Sequence, residues 1–168
     1  MNSKSIIILT FAITLFLLTP VLSVSGPAHD YAALKGVSTA NAVFDFRDGI
    51  PESALIHLSL IHQTYKDRSI QDIGGKPHFV VVFMDNSVKF LSSNRDSFTQ
   101  EERKIIEKFD KVLSAMAEDG IRLEICMFAA DFYNVDPESI TPVVERVPNG
   151  WISSIGYQAQ GYVLVPVF

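Results

Sequence analysis

The single cysteine of the sequence, Cys126, is the residue best suited to covalent chemistry. It lies at the end of a predicted strand, Ile121–Met127, where a helix is predicted to begin at about Phe128. Helix N-termini present unpaired N–H groups and partial positive charge, which stabilise a thiolate and lower the pKa of a cysteine. Because the thiolate is the form that attacks sulfur, Cys126 could carry a persulfide or form mixed disulfides. Free cysteine is also among the most buried residue types, so a structural role is the alternative.

Loops that follow the strands of an open α/β sheet are the expected places for ligand binding. This rule selects residues 47–51, residues 85–89 and the surroundings of Cys126. Lys89, with Arg95 beyond it, could bind a sulfur oxyanion or hold a thiolate, and a solvated surface charge is the alternative. The predicted binding residues in these loops are Asp85, Asn86, Ser87, Lys89, Met127 and Phe128.

Several other chemistries have no support in the sequence. There is no G-x-G-x-x-G, no G-x-x-x-x-G-K-[ST] and no G-x-S-x-G motif, so we expect neither a nucleotide cofactor nor a hydrolase elbow. One cysteine excludes an internal disulfide and a cysteine-rich zinc site. Isolated acidic loop residues are usually turn formers or caps, so no metal is predicted. The net charge of −5 argues against a nucleic-acid partner.

The pattern of apolar residues predicts strands that alternate with helices. Such alternation indicates βαβ units and a mainly parallel sheet of about four to five strands. The predicted strands cover residues 41–46, 79–84, 121–127 and 162–167. The predicted helices cover residues 51–68, 87–92, 99–120, a stretch from 128, 136–146 and 151–160.

The first residues have the features of a secretory signal peptide. Lys4 precedes thirteen uncharged residues, Ile6–Leu18, a run shorter than the roughly 20 residues that span a bilayer. Cleavage is predicted after Ser23 or Ser25, and an uncleaved anchor is the alternative. We therefore expect a signal peptide over 1–25, an irregular arm over 26–39 and one α/β domain over 40–168. The expected location is the bacterial periplasm or the medium, without stable membrane association after cleavage.

Three segments resemble the DsrE/DsrF-like family, and the likeness extends over about residues 40–168. They are Glu124–Ala130, Val81–Leu91 and Val147–Tyr162. The resemblance implies a three-layer α/β/α sandwich that assembles as homotrimers or homohexamers. Cys126 matches the position that accepts a persulfide in the sulfur-transferring members. The sequence departs from the family where Asp85-Asn86-Ser87 replaces a turn that commonly has glycine and proline, and in its predicted export.

These observations lead to two functional hypotheses. The first is an exported sulfur carrier or sulfurtransferase in which Cys126 is the nucleophile, with sulfur donor and acceptor proteins or small thiols as partners. Since no second cysteine is present, transfer has to be intermolecular. The second is a non-catalytic oligomeric module that binds a small ligand or a protein and uses Cys126 for packing.

Overall fold

Five parallel strands form one sheet in the structure, a computed structural model that describes residues 31–168. The strands are β1 Asn41–Phe46, β2 His78–Phe83, β3 Arg122–Cys126, β4 Glu145–Val147 and β5 Val163–Val167. Their order across the sheet is β4-β3-β2-β1-β5, and every neighbouring pair is parallel. The predicted parallel α/β architecture is therefore confirmed.

Helices cover both faces of this sheet. They are α1 Pro51–Lys66, α2 Arg68–Gln71, α3 Gln100–Glu118, α4 Met127–Phe132 and α5 Gly150–Ala159. On one face, Phe109 of α3 packs against Phe83 of β2 with ring centroids 6.1 Å apart. Phe83 is in register with Ile125, so the preceding Glu124 points to the opposite face, where it contacts Tyr157 of α5. The result is a three-layer α/β/α sandwich.

The central strand β2 explains why the sheet must be covered on both sides. All residues from Phe79 to Phe83 are buried, and β2 pairs with β1 on one side and β3 on the other. A strand that is apolar on both faces is stable only when helices exclude water from both. The sheet therefore fixes the ends of β1, β2 and β3 next to one another at one edge of the molecule.

The longest helix, α3, begins and ends where the sequence predicts. The side chain of Thr99 accepts from the Glu102 N–H at 3.3 Å, and the Glu102 carboxylate accepts from the Thr99 N–H at 2.7 Å. This reciprocal capping box satisfies two N–H groups that the helix itself leaves unpaired. Gly120 follows with a φ of 88°, a left-handed conformation that favours glycine.

The prediction of a helix over 136–146 is wrong. Asp136 does accept from the Glu138 N–H, but the turn is a 3-10 helix that covers only Pro137–Ser139. Pro142 prevents the helix from continuing, because it lacks an N–H group and disfavours a helical backbone conformation at the preceding residue. The chain then adds the short edge strand β4, which the sequence analysis missed. The predicted helix over 87–92 is a 3-10 helix over Asp85–Leu91.

The N-terminal predictions fall mostly outside the described residues. The signal peptide over 1–25 and the first part of the irregular arm lie there, and the rest of the arm contains a 3-10 turn at Ala32–Leu34. Within residues 31–168, the structure has no helix with the length and hydropathy needed to cross a bilayer.

Candidate functional site

Cys126 is the last residue of β3 and the N-cap of α4. Its Sγ accepts a hydrogen bond from the backbone N–H of Gly150 at 3.2 Å, and Gly150 is the first residue of α5. The sulfur therefore lies beside the starts of two helices rather than the one that the sequence predicts. The residue is 5% exposed, so the thiol is nearly covered.

The close approach of α5 to the thiol depends on the missing side chain at Gly150. A Cβ at this position would lie 2.6 Å from Met84 Sδ and 3.1 Å from Cys126 Cβ. The helix start is also fixed by its neighbours, because Asn149 Oδ1 accepts from the Trp151 N–H at 2.9 Å. These contacts hold a backbone donor against Cys126 in a position that a larger residue could share only if Met84 or the start of α5 moved.

A cleft of about 360 Å³ opens beside Cys126. Aromatic side chains form much of its wall, and three of them, Phe128, Phe132 and Trp151, are largely exposed. The lining residues are Arg47, Met84, Asp85, Cys126, Phe128, Ala129, Phe132, Tyr133, Asn149 and Trp151. The cleft is thus mostly apolar, with a few polar groups and one thiol.

Arg47 brings a positive charge to this cleft. Its guanidinium donates to Asp45 through Nε at 2.8 Å and through a terminal nitrogen at 3.0 Å. The hydrogen-bonded carboxylate of Asp45 raises the pKa of Arg47, burial opposes this, and negative charge at Asp85 and Cys126 adds to the rise. The guanidinium is thus held in place by Asp45 in the wall of the cleft that Cys126 also lines.

Asp85 adds a negative charge to the lining of the cleft. It follows β2 and adopts a left-handed φ of 55°, which is uncommon for a residue with a side chain. Its carboxylate accepts a short hydrogen bond from the Tyr133 hydroxyl, and this bond raises the pKa of Tyr133. Lys89 Nζ lies 4.9 Å from the centroid of the Tyr133 ring. The cleft wall therefore carries charges of both signs.

The structure brings together some of the predicted site residues and separates others. Cys126, Asp85 and Phe128 line the cleft, whereas Lys89 contacts it only through Tyr133.

The remaining predicted site residues do not line the cleft. Ser87 is buried, and its hydroxyl lies 2.7 Å from the Met84 carbonyl and 2.9 Å from the Phe46 carbonyl. The side chain of Asn86 packs against Gly49, and Met127 is partly buried against the core. These three side chains support the loops that form the cleft.

Three residues that the structure brings to the surroundings of Cys126 are not among the predicted site residues: Arg47, Tyr133 and Gly150. Arg47 lies in a strand-end loop that was selected, but no pattern distinguishes it from other exposed arginines. Gly150 directly precedes the helix predicted over 151–160, and an Asn-Gly pair before an apolar helix is a helix N-terminus signal. Tyr133 follows a short helix and carries no motif. These three residues come close to Cys126 only through the tertiary fold.

Acidic residues near the strand ends are engaged with protein groups. Asp45 binds Arg47, Asp48 accepts from the Ile50 N–H at 2.9 Å, and Asp85 accepts from Tyr133. Across residues 31–168, no three His, Cys, Asp or Glu side chains form a group that could hold a metal ion.

Comparison with known proteins agrees with this architecture. The sequence profile of the DsrE/DsrF-like family matches residues 23–166. An uncharacterized protein of Aquifex aeolicus (strain VF5) is 28% identical over 130 residues, which are 77% of this chain and 56% of the relative. The chain therefore spans little more than half the length of that relative.

Two solved structures align with this chain, and the first of them shares its fold. The protein of unknown function MTH1491 from Methanobacterium thermoautotrophicum aligns with a TM-score of 0.57 and 15% identity, over 74% of this chain and 96% of its own. The ychN protein from E. coli aligns with a TM-score of 0.47 and 12% identity, over 76% of this chain and 99% of its own. With the family profile matched over nearly the whole described region, the chain belongs to the DsrE/DsrF-like family.

Proposed function

We propose that this protein is a sulfur carrier or sulfurtransferase that holds sulfur as a persulfide on Cys126. The observation that carries the proposal is the placement of Sγ in the cleft, 3.2 Å from the Gly150 nitrogen, with Arg47 in the same lining. A backbone donor and a guanidinium are the groups that stabilise a thiolate and the negatively charged persulfide that follows it. The family, which is generally associated with sulfur relay, supports the same chemistry.

The reaction needs no external oxidant or reductant when the donor is itself a persulfide. The Cys126 thiolate attacks the outer sulfur of R–S–SH, the S–S bond of the donor breaks, and R–S⁻ leaves with the electron pair. The product is Cys126–S–SH, which ionises to the persulfide anion. An acceptor thiolate then attacks the outer sulfur, and Cys126 leaves as the thiolate. Because the sequence contains no second cysteine, the acceptor is another molecule.

The cleft suits thiol partners rather than free multivalent anions. Its one guanidinium is already paired with Asp45, and Asp85 adds a second carboxylate nearby. A dianion would meet this negative charge, whereas a thiol on a peptide or small molecule can pack against Phe128, Phe132 and Trp151. We propose sulfur donor and acceptor proteins or small thiols as the partners.

The proposal is tested by loading the protein with sulfur from glutathione persulfide and measuring its intact mass. Wild-type protein should gain the mass of one sulfur atom, and the gain should disappear on reduction with dithiothreitol. Cys126→Ser should keep the fold and gain nothing. The proposal fails if wild-type protein, shown to be folded, gains no sulfur or if Cys126→Ser gains as much.

Burial of Cys126 favours a second candidate, a non-catalytic binding module. A thiol that is 5% exposed and packed against the core could serve only to fill space. Labelling of the native protein with iodoacetamide distinguishes the two. Rapid modification supports the carrier, whereas protection until denaturation supports the module.

We also propose that the chain forms a homotrimer or homohexamer. Large apolar side chains are exposed on α1, on α5 and along the edge strand β5, and monomeric proteins rarely leave so many uncovered. They include Ile56, Leu60, Ile152, Ile155, Val163 and Phe168. Sedimentation equilibrium should give a trimer or hexamer mass, and a monomer at micromolar concentration would contradict this proposal.

Export to the periplasm or medium is the corresponding proposal for localisation. The family profile begins at residue 23, next to the predicted cleavage sites, so the apolar run lies ahead of the family domain. N-terminal sequencing of the protein from a bacterial expression host should find a start at residue 24 or 26. Soluble cytosolic protein with an intact Met1 would contradict export.

A further inference from the structure

We infer that Glu124 is a positioning residue for the Cys126 thiol, because it holds α5 against β3 and so keeps the Gly150 N–H directed at Sγ. The inference rests on the proposed function of Cys126 as a nucleophile. Glu124 does not line the cleft, and it acts through the helix that carries Gly150.

Glu124 is a buried carboxylate surrounded by donors. It is 1% exposed, and it accepts hydrogen bonds from Tyr157 at 2.6 Å, from Arg122 Nε at 2.8 Å and from the Ser153 hydroxyl through a short contact. Burial and the bond to Glu124 raise the pKa of Tyr157, so its hydroxyl stays protonated and remains a donor. A buried carboxylate is tolerated only with such compensation.

The donors lie on one stripe of α5. Ser153 and Tyr157 are four residues apart, which places them on the same face of the helix, and Gly150 precedes Ser153 by one turn. On the facing strand, Glu124 and Cys126 are two residues apart and therefore point to the same side of the sheet. Carboxylate and thiol thus contact successive turns of one helix.

This arrangement fixes both the distance of α5 from β3 and the rotation of α5 about its own axis. Two directed hydrogen bonds from neighbouring turns resist rotation about the helix axis, which apolar contacts alone would permit. Arg122 secures the carboxylate from the other side, since it also binds Glu145 of β4 at 2.5 Å. When these bonds are lost, the Gly150 N–H should move away from Sγ and the thiolate should lose its donor.

The direct effect of the Glu124 charge on the sulfur has the opposite sign. Removing a nearby negative charge would favour the thiolate and speed alkylation, whereas loss of positioning would disfavour the thiolate and slow it. The direction in which the pH midpoint of alkylation moves therefore separates the two roles, because a change in the access to the 5% exposed thiol alters the rate at every pH and leaves the midpoint in place. Glu124→Gln is the conservative variant. The oxygen of the glutamine amide can still accept a hydrogen bond, and its NH2 group can donate to a hydroxyl that rotates to accept.

The experiment measures alkylation of native Cys126 by iodoacetamide from pH 5 to pH 9 in the full-length protein. Ser153→Ala and Tyr157→Phe keep the Glu124 charge and remove one donor each. We expect both to slow alkylation at pH 7 by about 3- to 10-fold and to move the midpoint of the profile to higher pH. Glu124→Ala should slow alkylation and raise the midpoint more than either of these variants. Glu124→Gln should keep most of the wild-type rate.

Ser154→Ala is the matched control. Ser154 is buried on the same helix, and its hydroxyl has no hydrogen-bond partner among the described residues. Its replacement should leave the profile unchanged. A wild-type midpoint in Ser153→Ala and Tyr157→Phe, or a lower midpoint in Glu124→Ala, would overturn the inference.

A second measurement keeps the inference separate from the proposed function. Hydrogen exchange of the Gly150 amide should be faster in Tyr157→Phe than in wild-type protein or Ser154→Ala. If the wild-type thiol reacts only after denaturation, the carrier function fails, and this exchange rate alone decides whether Glu124 positions α5. Equal exchange in all three proteins would overturn the inference.

Discussion

Replacing Gly150 by alanine tests the packing that brings α5 to the thiol. The added Cβ would lie 2.6 Å from Met84 Sδ, 2.7 Å from Met84 Cγ and 3.1 Å from Cys126 Cβ. Met84 is 3% exposed but also lines the cleft, so its flexible side chain can give way only in the direction of the cleft. Either Met84 or the first turn of α5 must move, and a movement of α5 lengthens the hydrogen bond from the Gly150 N–H to Sγ.

The expected loss of stability follows from two opposing effects. Overfilling a packed site lowers the free energy of unfolding by about 1–3 kcal/mol. The better helix propensity of alanine offsets at most about 1 kcal/mol of this loss. We therefore expect a net loss between about 0 and 3 kcal/mol, or a fall in Tm of up to roughly 12 °C for a chain of this size. Alkylation of Cys126 at pH 7 should also slow, because the thiolate loses a donor.

Gly156→Ala is the matched control on the same helix. A Cβ at Gly156 would meet no atom within 4 Å beyond its own surroundings in the helix. This variant should be as stable as wild-type protein or up to about 1 kcal/mol more stable, with an unchanged thiol.

The assay is urea denaturation of both variants together with the iodoacetamide rate of the native proteins. The packing argument is refuted if Gly150→Ala is as stable as Gly156→Ala and its thiol reacts at the wild-type rate.

Two further predictions concern the scaffold. Thr99→Ala removes the hydroxyl of the capping box at the start of α3 and should lower the free energy of unfolding by about 1 kcal/mol in urea titration; an unchanged value would show that the cap is dispensable. Hydrogen bonds from Lys66 and His62 lower the pKa of Asp119 in the folded protein below its usual 3.8. The carboxylate therefore contributes its full stabilisation above pH 3.8, and this stabilisation is lost as the pH falls through the lower pKa of the folded state. Asp119→Asn should therefore have a lower Tm than wild-type protein at pH 5, and the gap should close on further acidification; a gap that widens in acid contradicts this sign.

Much of the fold follows from local patterns. The apolar run from Phe79 to Met84 predicts a strand covered on both faces, and the Thr99–Glu102 pair predicts the start of α3. Both succeed because neighbouring residues determine them. The edge strand β4 was missed because three residues, two of them charged, carry no alternation, and Pro142 outweighs the helix signal before it.

The candidate site was less predictable because it depends on tertiary convergence. The end of β3 and the start of a helix place Cys126 correctly, since both are local. The Gly150 N–H reaches the sulfur only because Glu124 and the packing of Met84 bring α5 across the sheet. No spacing in the sequence encodes that contact, and the same holds for Arg47.

The most direct test follows one labelled sulfur atom through a complete cycle. Cys126 is loaded with heavy-isotope sulfur from glutathione persulfide, excess donor is removed, and a small thiol acceptor is added. We predict that the label appears on Cys126 by peptide mass spectrometry and then leaves for the acceptor as a persulfide, with Cys126 regenerated as a free thiol. A label that never reaches Cys126, or that stays there in the presence of excess acceptor, would contradict sulfur transfer by this protein.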